Sequence, residues 1–446
     1  MRLLAALTLA GAAGAAAAQT VAPEVEVAPE EAVEEQQGAT LTTTVSQSVE
    51  ADSNLDLDDP SPGTSYFGDS RIALDYLNLT PNQNLAFGLN TGLRPLWEAD
   101  EAFDVVLASP STAYFTYGLE GVDTVVDADL RARSRLVNAR LIDFDADDQG
   151  PVADPLDQGN EDTREQRYDA DIGVVFGATS PSTYEFRLLG TAFDYTNEEG
   201  TRLAPNRSIE GQALWTLQFT PVFSTALFGS YFYYTAEDDQ DTELNIAEAE
   251  AGLVYHPSEN FRLRGGLGYA DRHREGIDLV TGERETIQDN QGITARADIR
   301  YITPSFVLLG NARWSAAAPN SRLSGAATAV YTLARGQVSG QVFQDYVSTS
   351  GGDEARVTGA EIGLTRDINT VSRVGIDFAY ATQVNIDDPD DPDIDRTDLT
   401  LRYGYDLTEA ITAEVGYTFR NRIEDPEDAT SNRVYFVIGR EFVTGL

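Results

Sequence analysis

The run Phe261 to Arg272 places Phe261, Leu263, Gly265, Leu267 and Tyr269 at odd positions and Arg262, Arg264, Gly266, Gly268 and Ala270 at even ones. A period of two over that length defines a β-strand with one apolar and one polar face, and it excludes an amphipathic helix. The pattern recurs. Ile293, Ala295, Ala297, Ile299 and Tyr301 oppose Thr294, Arg296, Asp298 and Arg300, and Leu399, Leu401, Tyr403 and Tyr405 oppose Asp398, Thr400, Arg402 and Gly404. From Ile411 to Arg420, Ile411, Ala413, Val415, Tyr417 and Phe419 oppose Thr412, Glu414, Gly416, Thr418 and Arg420. The apolar face needs a cover, which is a second sheet in a soluble sandwich and lipid in a membrane barrel.

The connections decide between the two. Short neutral turns recur at Thr80-Pro81-Asn82, Leu119-Glu120-Gly121, Thr179-Ser180-Pro181, Thr220-Pro221-Val222, His256-Pro257-Ser258, Thr303-Pro304-Ser305, Ala334-Arg335-Gly336, Ile368-Asn369-Thr370 and Leu407-Thr408-Glu409. Proline with Ser, Thr or Asn stops pairing and sets a turn. The alternate connections are acidic loops: Asp56 to Pro62, Asp143 to Glu165, Asn197 to Gly200, Glu237 to Asp241, Asp387 to Asp395 and Glu424 to Asp428. Aromatic rings flank the turns at Phe219, Phe223, Tyr255, Phe261, Tyr301 and Phe306, and Tyr269, Trp314, Tyr380 and Tyr417 stand at the far strand ends. Two rows of rings suit two membrane interfaces, whereas a sandwich places its large residues in mid-strand.

These features predict an all-β fold: a transmembrane antiparallel up-and-down β-barrel of about twenty strands (18 to 22), with short periplasmic turns and long acidic extracellular loops. The stretch from Glu98 to Gly121 reads as one strand or two, Phe103 to Ala108 and Tyr114 to Gly118. A β-propeller shares the rough spacing of the turns, but its blades need four short strands where this chain offers two long ones. Barrels of this width are open unless a loop or the N-terminal segment folds in, and no stretch reads as a separate plug domain.

Met1 and Arg2, the apolar run Leu3 to Ala10 and the small residues to Ala18 have the layout of a secretory signal, so residues 1–18 read as a signal peptide. Residues 19–39 form an acidic, Pro- and Glu-rich periplasmic linker, and residues 40–446 the barrel. The chain carries 73 acidic residues against 31 basic ones, all arginine, for a formal charge of -42. Such a field excludes nucleic acid as a partner. With 41% hydrophobic residues and clustered acids, the chain is nevertheless not a disordered polyanion. It has no cysteine, so thiol chemistry and thiolate metal sites are excluded.

On the polar face, Asp123, Asp127, Asp129, Arg131, Arg133 and Arg135 share one side of a strand and Val122, Val126, Ala128, Leu130 and Leu136 the other. In an open barrel this lines the lumen with carboxylates and then guanidiniums, joined by Asp169, Asp171, Arg187, Glu248, Glu250, Arg262, Arg264, Arg296, Asp298, Arg300, Arg402 and Glu414. Opposed charges across a water-filled pore filter solutes by charge; the plain alternative is a polar interior whose charges pair with neighbours. The acidic loops offer oxygen ligands for divalent cations, yet Asp387 to Asp395 lacks the spaced pattern of a calcium loop. Of the two histidines, His256 serves a turn, and His273 with Asp271 has no nucleophile motif beside it. The expectation is no enzyme, no cofactor and no metal.

The last run, Asn432 to Val443, puts apolar residues at even positions, with Gly439 inside it and Phe442 near the C-terminus. It resembles the closing strand of outer-membrane β-barrels of Gram-negative bacteria, which implies that Tyr435, Gly439 and Phe442 form an assembly signal read by the barrel-assembly machinery. The opening strand ends Val49-Glu50-Ala51-Asp52-Ser53-Asn54, then an Asp/Pro loop follows, and Arg71 to Leu79 resumes the alternation. This resembles a β-barrel porin family of proteobacteria, the second of that name, whose first strand closes with an Asp-Asn pair; here a serine intervenes. The resemblance implies a porin or an outer-membrane part of exopolysaccharide export. The function expected is a pore in outer-membrane lipid for passive diffusion of small polar solutes or ions, with a non-conducting or export-linked structural barrel as the alternative. Deleting Ser431 to Leu446 should abolish membrane assembly; heat-modifiable gel migration of the truncated chain is the check.

Overall fold

A strand in lipid can satisfy its N–H and C=O groups only through neighbouring strands, so amphipathic runs must pair until the sheet closes on itself. The computed structural model describes residues 38–54, 61–97, 103–107, 110–136, 164–196, 204–238, 240–278, 281–317, 321–348, 354–386, 393–424 and 427–445. The signal peptide and linker lie outside the described residues. So do most of the acidic loops.

Every element among the described residues is a strand of one antiparallel sheet: β1 (Gly38–Asp52), β2 (Ser65–Thr80), β3 (Gln83–Trp97), β4 (Asp104–Leu107), β5 (Ser111–Glu120), β6 (Thr124–Leu136), β7 (Arg164–Phe176), β8 (Ser182–Thr196), β9 (Asn206–Thr220), β10 (Phe223–Ala236) and β11 (Glu243–Ser258). Then come β12 (Phe261–Ile277), β13 (Arg284–Thr303), β14 (Phe306–Ser315), β15 (Arg322–Leu333), β16 (Gly336–Ser348), β17 (Glu354–Asp367), β18 (Ser372–Asn385), β19 (Ile394–Thr408), β20 (Ile411–Glu424) and β21 (Glu427–Gly445). β4 covers β3 at Leu93 to Leu96 and β5 covers it at Gln83 to Asn90, so the two occupy one place in the wall. β1 pairs with β21 from Thr40↔Gly445 to Asp52↔Arg433, which closes a barrel of twenty strands.

The register assigns the faces. Leu263, Leu267 and Tyr269 are 42%, 68% and 50% exposed on the outside, whereas Arg264 and Arg272 between them are 4% and 2% exposed. At the turn end the outer rings of Phe219, Phe223, Tyr255, Phe261, Tyr301 and Phe306 touch in sequence, with centroids 4.9 to 6.5 Å apart. At the loop end the hydroxyls of Tyr231, Tyr269, Tyr380 and Tyr417 donate to Asn245, Gln291, Asp395 and Asn432 on the next strand, at 2.6 to 3.0 Å. These two rows bound the apolar belt.

Turn chemistry is local. Thr220, Thr303 and Thr408 each accept a hydrogen bond through Oγ1 from the backbone N–H three residues on, at 3.0 Å, which holds the chain as it reverses. One expected turn moves: β11 runs through His256 and Pro257, and the reversal falls at Glu259-Asn260. The register slips between Tyr255 and Ser258, so Pro257 stands at an irregularity where its missing N–H is not needed. Of the acidic loops, the stretch from Glu237 to Asp241 is mostly described. Its Asp238 accepts from the Thr242 N–H and hydroxyl at 2.9 and 2.7 Å.

The closing seam is pinned from inside. Asp52, fully buried, ion-pairs with Arg420 of β20 and accepts from the Ser431 hydroxyl of β21. Asn54 donates its N–H to Asp52 at 3.0 Å and its side-chain amide to the Thr430 carbonyl at 3.2 Å. Ser53 and Asn432 exchange two further bonds, at 3.0 and 2.8 Å. The Asp-Ser-Asn end of the first strand is thus a clamp on the last two. Asp52→Ala leaves Arg420 without that partner in a buried site, a loss on the order of 3 kcal/mol, and should lower the temperature at which the folded gel band converts to the unfolded one.

Candidate functional site: the charged interior wall

Side chains that point inward alternate with those that point outward, so the inward positions of successive strands form one continuous wall. Asp127, Asp129, Arg131, Arg133 and Arg135 follow one another along the inner face of β6, in register with inward residues of β7. Arg131 donates to Asp129 at 2.9 Å. Arg187 of β8 clasps Asp171 with two bonds of 2.6 Å and lies 3.8 Å from Asp127. Arg135 forms a two-pronged bond with Glu165, at 2.8 and 3.1 Å, and Arg167 pairs with Asp169 at 2.8 Å. Parallel forks of this kind are the strong form of the guanidinium–carboxylate contact.

Two expectations shift in this panel. Asp123 does not line the wall: it sits in the turn before β6 and accepts from the N–H and hydroxyl of Thr179 at 3.2 and 3.0 Å, tying two neighbouring turns together. Glu165 is not loop but the second residue of β7. The loop that precedes it lies otherwise outside the described residues.

A second panel spans β11 to β14. Glu250 pairs with Arg264 at 2.8 Å, and Asp298 stands 4.0 Å from the same guanidinium. Glu248 takes Arg313 at 2.5 Å and the Thr294 hydroxyl at 3.0 Å. The Arg296 guanidinium lies 5.4 Å over the Phe228 ring. Arg262 faces Arg300 directly across β12 and β13. Near the seam, Arg402 pairs with Asp377 at 3.0 Å, and Glu414 accepts from the Tyr435 hydroxyl at 3.0 Å. Tyr435 therefore faces inward with Gly439, while Phe442 is 44% exposed on the outer face.

The structure also brings in residues that the alternation did not single out. Asp69 bridges Arg71 at 3.0 Å and Arg94 at 2.8 Å, and the Phe67 ring lies between Arg94 and Arg433 at 4.8 and 5.3 Å. Inward glycines lie under these long side chains. A Cβ at Gly266 would strike the Glu250 carboxylate, one at Gly375 the Arg402 side chain, one at Gly173 Asp127, and one at Gly416 the Tyr435 ring. Glycine at those points lets a neighbour lie flat along the wall instead of projecting across the lumen. The interior also holds apolar clusters, Phe232 with Leu244 and Ile246, and Phe343 with Val357 and Ala381. Nothing in the period of two distinguishes these inward apolar residues from the polar ones they replace.

The remaining candidates fall elsewhere. His273 meets Glu275 at 3.0 Å and not Asp271, and His256 lies 3.4 Å from Gln218 beside a turn. Among the described residues no three His, Asp or Glu side chains gather as a metal site.

A closed antiparallel barrel with an apolar belt between two rows of rings defines an outer-membrane β-barrel protein of a Gram-negative bacterium. The chain is similar to several solved structures. The copper transporter OprC aligns with a TM-score of 0.50 at 12% identity, over 91% of this chain and 81% of that one. The siderophore receptor PiuA from Acinetobacter baumannii aligns at 0.49 and 9%, over 91% and 82%. A loop-deleted form of OmpT, an outer membrane protein of Vibrio cholerae, gives 0.35 and 9%, over 91% and 100%. At 12% identity the likeness to OprC is one of fold. No protein-family model matches the sequence, and no curated protein does.

Some wall pairs differ from surface ion pairs in being buried, Arg264 with Glu250 and Arg135 with Glu165 among them. Arg264→Ala should cost about 3 kcal/mol, because Glu250 loses its partner in a site closed to water. Arg264→Met with Glu250→Gln should recover most of that loss. The midpoints of the heat-modifiable transition for the three chains check both statements.

Proposed function

We propose that this barrel is a passive diffusion channel for small polar solutes and ions. The observation that carries the reading is the lateral pairing of the interior charges. Guanidiniums and carboxylates bond to partners on the same or nearby strands, as Arg187 does with Asp171 and Arg402 with Asp377, and so lie against the wall. A polar wall whose long side chains lie flat leaves an aqueous path. Every described element belongs to that wall, and neither a helix nor a second sheet stands among the described residues.

The charge balance bears on selectivity. Arginines and carboxylates occur in comparable numbers on the described inner face, so the acid excess behind the -42 charge lies off the wall. The described wall is therefore close to neutral, and the acid-rich loop sequences favour cations over anions. The likeness of the opening strand to the second β-barrel porin family is in keeping with this reading; export of a polysaccharide has no feature of the wall to support it.

Planar-bilayer recording of the refolded protein under a salt gradient tests the proposal. Steady conductance is expected, and replacing Arg131, Arg133 and Arg135 by alanine should move the reversal potential toward cation selectivity. Silence from protein shown to be folded and inserted would favour the non-conducting barrel instead.

A further inference from the structure

Arg262 and Arg300 stand directly opposite each other on the inner face of β12 and β13, next to the turn-side mouth. Side chains so placed start about 5 Å apart, and like charges there repel. The neighbouring arginines of this panel are neutralised: Arg264 by Glu250 at 2.8 Å and Arg313 by Glu248 at 2.5 Å. Arg262 and Arg300 are not. Among the described residues no carboxylate oxygen comes within 4.0 Å of either guanidinium. Asp298 and Glu185 act on Arg262 only from beyond that distance, and Asp298 is already approached by Arg264.

Two facing inward arginines with no carboxylate within 4.0 Å among the described residues offer two N–H forks to one ligand. That arrangement complements a tetrahedral oxyanion, whose oxygens accept from both forks while its charge relieves the repulsion. We propose that Arg262 and Arg300 form an anion subsite at the turn-side mouth, which takes a doubly charged oxyanion of the phosphate class. The subsite deepens the channel reading, since it gives the lumen a place where an anionic solute pauses; its existence is nevertheless measurable without any current.

The test is calorimetric titration of the folded protein in detergent micelles with inorganic phosphate. Saturable binding is expected. Arg262→Ala with Arg300→Ala should weaken it at least about tenfold, the loss of two charge-assisted contacts. Arg262→Lys with Arg300→Lys should retain a large part of it, and Arg402→Ala, whose native arginine is already paired, should leave it unchanged. If the double alanine chain does not fold, the single Arg300→Gln chain serves, with a smaller loss in the same direction. Absence of phosphate binding by the folded wild type overturns the inference, as does equal binding by the double variant or an equal loss in Arg402→Ala. A conducting protein that ignores phosphate would sink the subsite and leave the channel; a phosphate-binding protein that stays silent would do the reverse.

Discussion

Everything in this molecule follows from the need to leave no strand edge in lipid. An unpaired backbone N–H or C=O in the hydrocarbon costs several kcal/mol, so the first strand must find the last. It does so along nearly its full length, from Thr40 to Asp52. The contact is sealed on the inner side by the buried Asp52, Arg420 and Ser431 group, at the loop end of the seam. Closure then dictates the alternation: whatever does not face lipid faces the lumen, and the lumen inherits half of every strand.

The inner half solves a second problem. A wall bearing many guanidiniums and carboxylates would collapse across the lumen if its pairs formed between distant strands. Most of the pairs form sideways, and glycine is the device that permits it. Gly266 beneath Glu250, Gly375 beneath Arg402 and Gly416 beneath Tyr435 each remove the Cβ that would lift the neighbour off the sheet. The same small residues that weaken an isolated strand therefore organise the charge pattern of the wall.

Much of the fold is legible in the sequence, because a period of two and the contrast between Thr-Pro turns and acidic loops are local signals. Face assignments such as Arg264 inside and Leu267 outside need nothing more. What is not legible is whatever depends on which strand lies beside which. The pairing of Arg187 with Asp171, the glycine under each long side chain and the bare Arg262 and Arg300 pair all require the register. The break between β4 and β5 left only an ambiguity in the sequence, since both segments are short and share one partner. Asp123 reads as a wall residue by alternation alone, but the strand begins one residue later and the carboxylate turns to Thr179. The inward Phe343 and Phe232 show the other limit: a hydrophobic residue on the polar side carries no mark of its own.

An aqueous lumen lined by alternate residues is directly measurable here, because the chain has no cysteine. Single substitutions Ser339→Cys and Thr400→Cys place a thiol on the inner face, and Val338→Cys and Leu401→Cys place one on the outer face beside them. In proteoliposomes, a charged, membrane-impermeant thiol reagent should label the first two quickly and the last two hardly at all. Equal protection of all four would mean that the interior is closed to water, and labelling of the outer pair in preference to the inner would contradict the assignment of faces on which the whole reading stands.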